Sequence, residues 1–353
     1  MEFKIGERLI SKESPTYFIA EIGSNFDGDL KRAINLIKLA KDAGANAAKF
    51  QHYTAGTLVS DREFSNLTLD SHQKEWSCSV FDTYDKASLN VEWTSKLAEE
   101  CKKQGIDFMT SPYSFGLLEK TIDFIPAIKV GSGDITYHQL IQKMLKFNKP
   151  ILLATGASNI EDVKSAMKII YKKVPVCVMQ CNTNYEAKVS HFKNQNINVI
   201  NSYKKIWPQV EVGLSCHMKN NLGVFTAVTL GARIIEKHFT DDNTRSGPDH
   251  KFALDFKEFK NMVDSVRSIE LMLGDGSKKI EENEESTYFL QRRGLVVKKD
   301  LNKGDILDDN NIEALRPFSA DGFEPHQINS LIGKKLKTKL LKGSAIKLHH
   351  INE

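Results

Sequence analysis

The stretch YFIAEIG at residues 17–23 is a short apolar run with one charged residue, Glu21, near its end. Seven similar runs follow: AAKFQ at 47–51, DFMTS at 107–111, AIKVGS at 127–132, ILLATG at 151–156, VCVMQC at 176–181, VEVGLS at 210–215 and IIEKHF at 234–239. Such runs are typical of strands buried on both faces, and amphipathic stretches such as 30–43 separate them. Eight strand–helix units in about 250 residues predict an α/β fold, a (β/α)8 TIM barrel. A doubly wound sheet is the alternative.

Polar residues collect where these runs end. They are Glu21, Lys49, Gln51, Thr110, Lys129, Ser132, Thr155, Gln180, Asn182, His217, Glu236 and His238. Barrel enzymes build their active sites at the carboxyl ends of the strands, so this distribution favours the barrel and predicts a site at that rim.

The chain divides by composition into three parts. Residues 1–273 carry the strand–helix pattern, and the stretch 274–290, which begins GDGS and is highly charged, predicts a linker. Residues 291–353 hold short β-rich runs with Lys-Gly turns and predict a small second domain. Within the barrel, the insertion 52–89 is typical of a lid or binding loop, or of a surface excursion with small helices of its own.

Composition excludes several classes of function. The 353 residues carry a net charge of +4 with Lys and Glu intermixed, so we expect no nucleic-acid partner. No apolar run approaches the ~20 residues that span a bilayer, and the N-terminus lacks the apolar core of a signal peptide. We therefore expect a cytoplasmic protein without a membrane partner, with its five cysteines reduced.

Two histidines predict a metal site. His217 follows the seventh strand and His238 ends the eighth, and neighbouring parallel strands lie about 4.8 Å apart. Both imidazoles can therefore reach one ion. Two neutral nitrogens with open positions suit Mn²⁺, Co²⁺ or Zn²⁺, and a water-rich site suits Mg²⁺. The alternative is two unrelated polar histidines.

Other residues at the strand ends predict an anion site. Two lysines and three hydroxyl residues collect there: Lys49, Lys129, Thr110, Ser111 and Ser132. Such a set suits a phosphate, alone or together with a carboxylate. Glu21 faces the same mouth, where it could bind a metal, move a proton or form a structural salt bridge.

Eight motifs stand in order along the barrel part. They are AEIGSNFDG around Glu21, AGANAAKFQ around Lys49, IKVGSGD around Lys129, ATG at 154–156, QCNTNY at 180–185, VGLSCH ending at His217, IEKHFT around His238 and GPDHK at 247–251. Together they resemble the bacterial sialic acid synthase family, which includes the legionaminic and pseudaminic acid synthases. RRGLVV, ALRPF and LIGKKL resemble that family's C-terminal antifreeze-like (SAF) domain, so the resemblance covers nearly the whole chain.

The resemblance implies a reaction, a metal cofactor and an oligomeric state. Phosphoenolpyruvate would condense with an open-chain N-acetylated amino sugar, N-acetylmannosamine or a 2,4-diacetamido-trideoxy hexose. The products would be a nine-carbon 2-keto acid and phosphate, released by C–O cleavage. A divalent metal, Mn²⁺ foremost with Mg²⁺ or Co²⁺ as alternatives, would bind His217 and His238. The chain would form a domain-swapped homodimer.

The resemblance also assigns roles to single residues. Glu21, His217 and His238 match catalytic positions, Glu21 being the carboxylate that handles protons and activates water. The positions that match substrate-binding residues are Lys49, Gln51, Thr110, Lys129, Ser132, Asp134, Thr183, Tyr185, Asp249 and Arg316. Within this set the two lysines, Thr110 and Ser132 match the phosphoenolpyruvate cradle. Arg316 matches an arginine that the partner subunit lends to the sugar's acyl group.

The chain departs from the family pattern at several positions. Phe26 stands where members commonly carry histidine, Ala154 replaces the usual serine, and no proline follows Tyr185. We expect these changes to touch the sugar pocket and to favour a less polar acceptor, such as a deoxy diacetamido hexose.

Two other interpretations compete with this one. A phosphoenolpyruvate aldolase that makes octulosonate or heptulosonate phosphate shares the chemistry, but metal-dependent members of that group use a cysteine that YFIAEIG lacks. A non-catalytic sugar-binding or ice-binding protein would have no reason to keep Glu21 together with both histidines and both lysines.

Overall fold

The computed structural model of the chain describes residues 2–67, 73, 76, 78–184 and 189–352. It divides into two compact units, Met1–Gly274 and Asp275–Glu353. The first unit begins with a hairpin of strands β1 (Phe3–Ile5) and β2 (Arg8–Ile10). Eight further strands form one parallel sheet: β3 (Tyr17–Gly23), β4 (Ala47–His52), β5 (Asp107–Pro112), β6 (Ile128–Val130), β7 (Ile151–Ala154), β8 (Val176–Cys181), β9 (Glu211–Cys216) and β10 (Ile234–His238).

The parallel pairings order these strands as β5-β4-β3-β10-β9-β8-β7-β6. The end strands β5 and β6 lie side by side, so the sheet closes into a (β/α)8 barrel. This confirms the predicted fold. Each predicted strand overlaps an observed one, and no end differs by more than two residues. Continuous apolar runs identified the strands because both faces of each strand are buried.

Helices follow the barrel strands. They are α1 (Leu30–Asp42), α2 (Ala55–Leu58), α3 (Asp61–Ser65), α4 (Val80–Ala87), α5 (Thr94–Gln104), α6 (Phe115–Thr121), α7 (His138–Leu145), α8 (Ile160–Ile170), α9 (Val199–Ile206), α10 (Leu222–Thr229) and α11 (Phe256–Leu273). Polar caps start several of them. The Asp29 carboxylate accepts from the Lys31 amide at the start of α1, and Asp255 accepts from the Glu258 amide at the start of α11. None of the described helices combines the length and apolar character that crossing a membrane requires.

Two apolar layers stabilise the barrel. The larger layer lies between the strands and the helices and includes Phe18, Ala48 and Phe108. The smaller layer fills the barrel interior with the alternate residues of the same strands, including Ile19, Ala47 and Met109, together with three residues of the β1–β2 hairpin, Phe3, Ile5 and Ile10. The hairpin therefore closes the amino end of the barrel, and the carboxyl end is left for polar side chains.

The insertion at 52–89 contains the three short helices α2, α3 and α4 in its described part. The surface-excursion alternative predicted such helices. The start of the insertion is tied to the barrel through His52, whose Nδ1 and Nε2 each lie 2.8 Å from a threonine hydroxyl, those of Thr110 and Thr94.

The second unit contains a short helix, α12 (Glu285–Gln291), and two antiparallel strands, β11 (Gly294–Val297) and β12 (Ile312–Leu315). Its own small apolar core includes Leu295, Leu307 and Ile346. All but the last residue of helix α12 lies within the stretch that the sequence predicts as linker, so that stretch is partly helical.

Candidate active site

Four charged side chains enter the barrel interior at the carboxyl ends of their strands: Glu21, Lys49, Lys129 and Glu236. The residue two positions before each of them belongs to the interior apolar layer, and side chains of a strand return to one face every second residue. Glu21 lies in register with Lys49 on one neighbouring strand and with His238 on the other.

These four groups form one buried ion network. Lys49 Nζ lies 2.7 Å from Glu21 Oε2 and 3.5 Å from Glu236 Oε1. Lys129 Nζ lies 3.3 Å from the same Glu236 oxygen, and Gln51 Nε2 donates to Glu21 Oε1 over 2.6 Å. Buried charges persist when they are paired, and two carboxylates here balance two ammonium groups.

The sequence places Glu236 among the polar residues at the strand ends but assigns it no role in the site. It bridges both lysines, and its second oxygen, Oε2, is buried without a hydrogen-bond partner in the described part of the chain. The signal that could have assigned it to the site is its position two residues before His238 on one strand, which places both side chains on the same face.

The network moves the pKa values of its carboxyls in opposite directions. Burial raises the pKa of Glu21 to about 7, against the opposing charge of Lys49. Burial acts on Glu236 in the same sense, but Lys129 and Lys49 outweigh it and lower its pKa to about 2. For Lys49, burial acts to lower the pKa, and the two carboxylates reverse this and raise it. One carboxyl is therefore poised to exchange a proton near neutral pH, while the other stays ionised.

The structure corrects the prediction for Thr110. Its hydroxyl lies 2.8 Å from His52 Nδ1 and donates to the Phe50 carbonyl over 3.1 Å, on the side of β5 that faces the helices. The next residue, Ser111, faces the interior, and its Oγ accepts from Lys49 Nζ over 3.3 Å. Strand side chains alternate, so the one-residue difference exchanges the two faces. Ser111 rather than Thr110 therefore presents its hydroxyl to Lys49 in the barrel interior.

His217 and His238 come together at the rim, as predicted. Their ring centroids are 5.5 Å apart, and the ring of Phe252 packs edge-on against both. His217 Nδ1 lies 2.9 Å from the Asn182 carbonyl, to which it donates, so the lone pair resides on Nε2. Burial lowers the pKa of His217 to about 3 and that of His238 to about 4. Both imidazoles are therefore neutral at neutral pH, the form that binds metal ions.

The histidine pair fits a metal ion most of whose coordination positions are left to water or substrate. His238 Nδ1 is buried without a hydrogen-bond partner among the described residues, as expected of a nitrogen whose partner is a ligand. Within the described chain, no group of three or more His, Cys, Asp or Glu side chains is arranged to hold a metal. The protein would therefore supply two nitrogens, and water or substrate would supply the remaining ligands.

Asp249 is anchored beside the histidines. Its Oδ2 accepts from the Ser24 amide over 3.0 Å and from the Ser24 hydroxyl over 2.8 Å. Gly23 makes this close approach possible, because a Cβ built on it would lie 2.4 Å from Asp249 Oδ2 and 3.6 Å from the His238 ring. The loop after β10 and the end of β3 are therefore held as one wall of the rim.

Ser132 and Thr183 meet on the opposite wall. Ser132 Oγ accepts from the Gly156 amide over 3.0 Å. A Cβ on Gly156 would lie 2.5 Å from Thr183 Cγ2 and 2.9 Å from Ser132 Oγ, so the rim residues of β6, β7 and β8 are tightly packed. Asp134 follows Ser132 in a short 3-10 helix, and burial raises its pKa to about 6.

Tyrosines of the insertion lie beside the rim, and sequence reasoning did not identify them. The Tyr53 ring packs edge-on against Tyr84 at 5.4 Å and against Tyr113 at 6.1 Å. Burial, followed by the negative charge of Asp249, raises the pKa of both Tyr53 and Tyr84. The insertion therefore contributes aromatic side chains close to Asp249.

Of the two substitutions expected in the sugar pocket, Phe26 faces away from the barrel interior and Ala154 faces into it. Phe26 is fully buried in the outer apolar layer, with its ring 6.3 Å from Phe50 and 6.4 Å from Trp93. It does not line the rim, so this part of the acceptor hypothesis is wrong. Ala154 does face the interior, two residues after Leu152 of the interior layer, but on β7 between the strands that carry Lys129 and Cys181.

Two of the predicted substrate-binding residues lie outside the described part of the first unit. Tyr185 falls outside the described residues. Arg316 belongs to the second unit, directly after β12, where it is exposed and precedes a cis bond to Pro317. Its assignment to the site stays a prediction.

A barrel whose carboxyl rim gathers a buried ion network and a pair of neutral histidines is the arrangement of a (β/α)8 enzyme, and this chain is such an enzyme. The chain belongs to the NeuB family, whose sequence model matches residues 36–278, and the SAF domain model matches residues 292–352. The resemblance to the sialic acid synthases, including their SAF domain, is confirmed.

Similar proteins cover nearly the whole chain. A pseudaminic acid synthase of Campylobacter jejuni is 34% identical over 340 residues, which is 95% of this chain and 96% of that protein. An N,N'-diacetyllegionaminic acid synthase of the same species is 32% identical over 327 residues, or 90% of this chain and 95% of that protein. The solved N-acetylneuraminic acid (sialic acid) synthetase of Leptospira borgpetersenii superposes with a TM-score of 0.71 at 26% identity and covers 81% of this chain and 95% of that one.

Proposed function

We propose that the protein condenses phosphoenolpyruvate with an open-chain N-acetylated amino sugar, giving a nine-carbon 2-keto sugar acid and phosphate. C3 of phosphoenolpyruvate bonds to the aldehyde carbon, and the aldehyde oxygen gains a proton to become a hydroxyl. A water oxygen adds to C2 with loss of a proton, and the bond between C2 and the phosphate-ester oxygen then breaks. Phosphate leaves, and loss of the remaining hydroxyl proton gives the C2 ketone. Relatives named as pseudaminic and N,N'-diacetyllegionaminic acid synthases support this reaction class.

The observation that carries the proposal is the buried pair of lysines beside the histidines. Lys49 and Lys129 both contact Glu236, and Ser111 adds a hydroxyl. Phosphoenolpyruvate carries a phosphate and a carboxylate, and ammonium groups with a hydroxyl are the partners that such oxygens require. Before the anion binds, Glu236 neutralises the lysines, which lowers the cost of keeping two cations buried together.

Glu21 is the group that would activate water. Its pKa, raised to about 7 by burial, matches the range in which a general base works best near neutral pH. Gln51 and Lys49 each hold one of its oxygens, so the carboxylate has a fixed direction. It can accept the proton of the water that attacks C2 at one of these oxygens.

His217 and His238 would hold a divalent metal, for which Mn²⁺ is our first choice and Mg²⁺ or Co²⁺ are the alternatives. A bound cation would supply Lewis-acid polarisation of the aldehyde. Both rings are neutral and lie side by side, and Asp249 keeps a carboxylate against His238 for the sugar end.

Several acceptor sugars fit this reaction class, so the assay includes each of them. The diacetyl name of one relative favours a 2,4-diacetamido acceptor, and the tyrosine pair near Asp249 offers an apolar surface to a deoxy carbon. Phe26, by contrast, gives this preference no support.

We also propose the domain-swapped homodimer, in which Arg316 of one chain serves the barrel of the partner. Arg316→Ala should raise the KM of the sugar and leave that of phosphoenolpyruvate unchanged. A fully active monomer at assay concentration, measured by sedimentation, would refute the swap.

The test of the reaction is phosphate release. Protein, phosphoenolpyruvate and Mn²⁺ would be incubated with N-acetylmannosamine, with each of two 2,4-diacetamido-trideoxy hexoses, or with arabinose 5-phosphate. Turnover with an N-acetylated sugar supports the proposal and names the product, whereas turnover with arabinose 5-phosphate alone moves the enzyme to the octulosonate group. Lys129→Met should abolish turnover. The matched control, Lys149→Met, should keep it, because Lys149 donates to the Ile122 and Ile125 carbonyls away from the rim.

A further inference from the structure

A fully buried lysine stands between two site residues and is not used by the proposed chemistry. Lys237 lies on β10 between Glu236 and His238, and strand alternation turns its side chain outward, into the layer between the barrel and its helices. It is only 1% exposed. An ammonium group removed from water is costly unless it is fully hydrogen-bonded, so its partners define what it does.

The partners of Lys237 flank His217. Its Nζ donates to the carbonyl of Met218, lies 3.3 Å from the carbonyl of Asn220, and lies 3.7 Å from the sulfur of Cys216. Within the described chain it has no carboxylate at ion-pair distance. The ammonium therefore bonds to two backbone carbonyls of the turn that follows His217, and it contacts the side chain of Cys216, which precedes the histidine.

This arrangement connects the two histidines through one side chain. The backbone of Lys237 adjoins His238, and its ammonium holds the turn that carries His217. The His217 ring is held separately, by its bond to the Asn182 carbonyl after β8. The turn is thus fixed from β10 and the ring from β8, and the two rings stay 5.5 Å apart.

We propose that Lys237 is a positioning residue for the histidine pair: it fixes the His217 turn against β10 so that both imidazoles can bind one divalent cation. This inference rests on the proposed metal role of the pair. It predicts that removing the ammonium weakens metal binding and spares the anion cradle, whose lysines stand on β4 and β6.

The test compares Lys237→Met with Ile235→Ala in the full-length chain. Ile235 lies on the same outward face of β10 and is fully buried in the outer layer, but it has no side-chain donor for the turn. Each variant would be measured for melting temperature, for the Kd of Mn²⁺ by the paramagnetic resonance of the free ion, and for the Kd of phosphoenolpyruvate without metal.

We expect Lys237→Met to raise the Kd of Mn²⁺ at least tenfold and to change that of phosphoenolpyruvate less than twofold. Ile235→Ala should lower the melting temperature and leave the Kd of Mn²⁺ within twofold of the parent. A Lys237→Met protein with parental Mn²⁺ affinity would overturn the proposal. So would an equal loss of Mn²⁺ affinity in both variants, because the effect would then be a general loss of stability.

Two further measurements separate the proposal from its premises. If Lys237→Met does not fold, Lys237→Gln keeps an N–H donor and should fall between the parent and the loss expected for methionine. If the parent itself binds no Mn²⁺, the metal role fails, and the crystal structure of the variant decides the positioning role. Residues 216–220 at unchanged positions would refute it, and a displaced turn would support it.

Discussion

Replacing Glu236 by glutamine should destabilise the barrel in a way that phosphoenolpyruvate reverses. Glu236 Oε1 lies 3.3 Å from Lys129 Nζ and 3.5 Å from Lys49 Nζ, and all three groups are buried. Removing one partner of a buried ion pair costs about 3–5 kcal/mol. Glutamine keeps the shape and one acceptor oxygen, so we expect the lower end, about 3 kcal/mol, or about 5 °C in Tm for a unit of this size.

The anion should restore part of this loss. Phosphoenolpyruvate brings negative charge to the same two lysines, so a recovery of about half the deficit corresponds to a Kd about tenfold lower than that of the parent. Urea unfolding with and without phosphoenolpyruvate, together with calorimetric titration, measures both quantities.

A matched control stands at the other end of the barrel. Asp107 Oδ2 lies 3.1 Å from Arg8 and accepts from the Tyr17 hydroxyl over 2.6 Å. Asp107→Asn should also lose stability, but added phosphoenolpyruvate should stabilise it no more than the parent. A Glu236→Gln protein that is as stable as the parent, or that binds phosphoenolpyruvate no more tightly, would refute this account of the cradle.

Three further predictions concern the rim. Burial raises the pKa of Glu21 to about 7, and a general base must be ionised, so kcat/KM should fall about tenfold per pH unit below pH 7. Glu21→Gln should be at least about 100-fold slower. The same fall of kcat/KM below pH 7 in that variant would contradict the role of Glu21. Gly23→Ala should lower the free energy of unfolding by about 1–2 kcal/mol, because Gly23 has a φ of +54°. The added Cβ would lie 2.4 Å from Asp249 Oδ2, so steady-state kinetics should show a higher KM for the sugar and an unchanged KM for phosphoenolpyruvate. His238→Ala should abolish metal-dependent turnover while Tm stays within a few degrees, since its Nδ1 has no hydrogen-bond partner among the described residues; full activity in chelator would count against the metal role.

Much of the fold can be predicted from the sequence because the burial of a segment restricts its residue types. Strands buried on both faces are apolar throughout, and turns and helix starts carry Gly, Asp and Asn, so the strands are found within two residues at each end. The rim residues follow from the same logic, since the polar residues that end such strands must lie at one end of the barrel. In this way the sequence predicts the rim positions of Glu21, Lys49, Lys129 and both histidines.

The particular contacts depended on tertiary structure, because sequence position does not give the direction of a side chain or the identity of its partner. A shift of one residue turns Thr110 toward the helices and Ser111 toward the anion cradle. Phe26 packs in the outer layer, not in a sugar pocket, because the chain turns back after β3.

The sequence by itself determined the barrel, the family and the residue types of the site, because these depend on periodicity and local motifs. Only the tertiary structure decided that Glu236 bridges two lysines from other strands and that Lys237 holds the turn of His217. Both are contacts between residues far apart in the chain. The interaction energies of these contacts depend on burial and on the distance between the groups, and a local pattern of residues predicts neither.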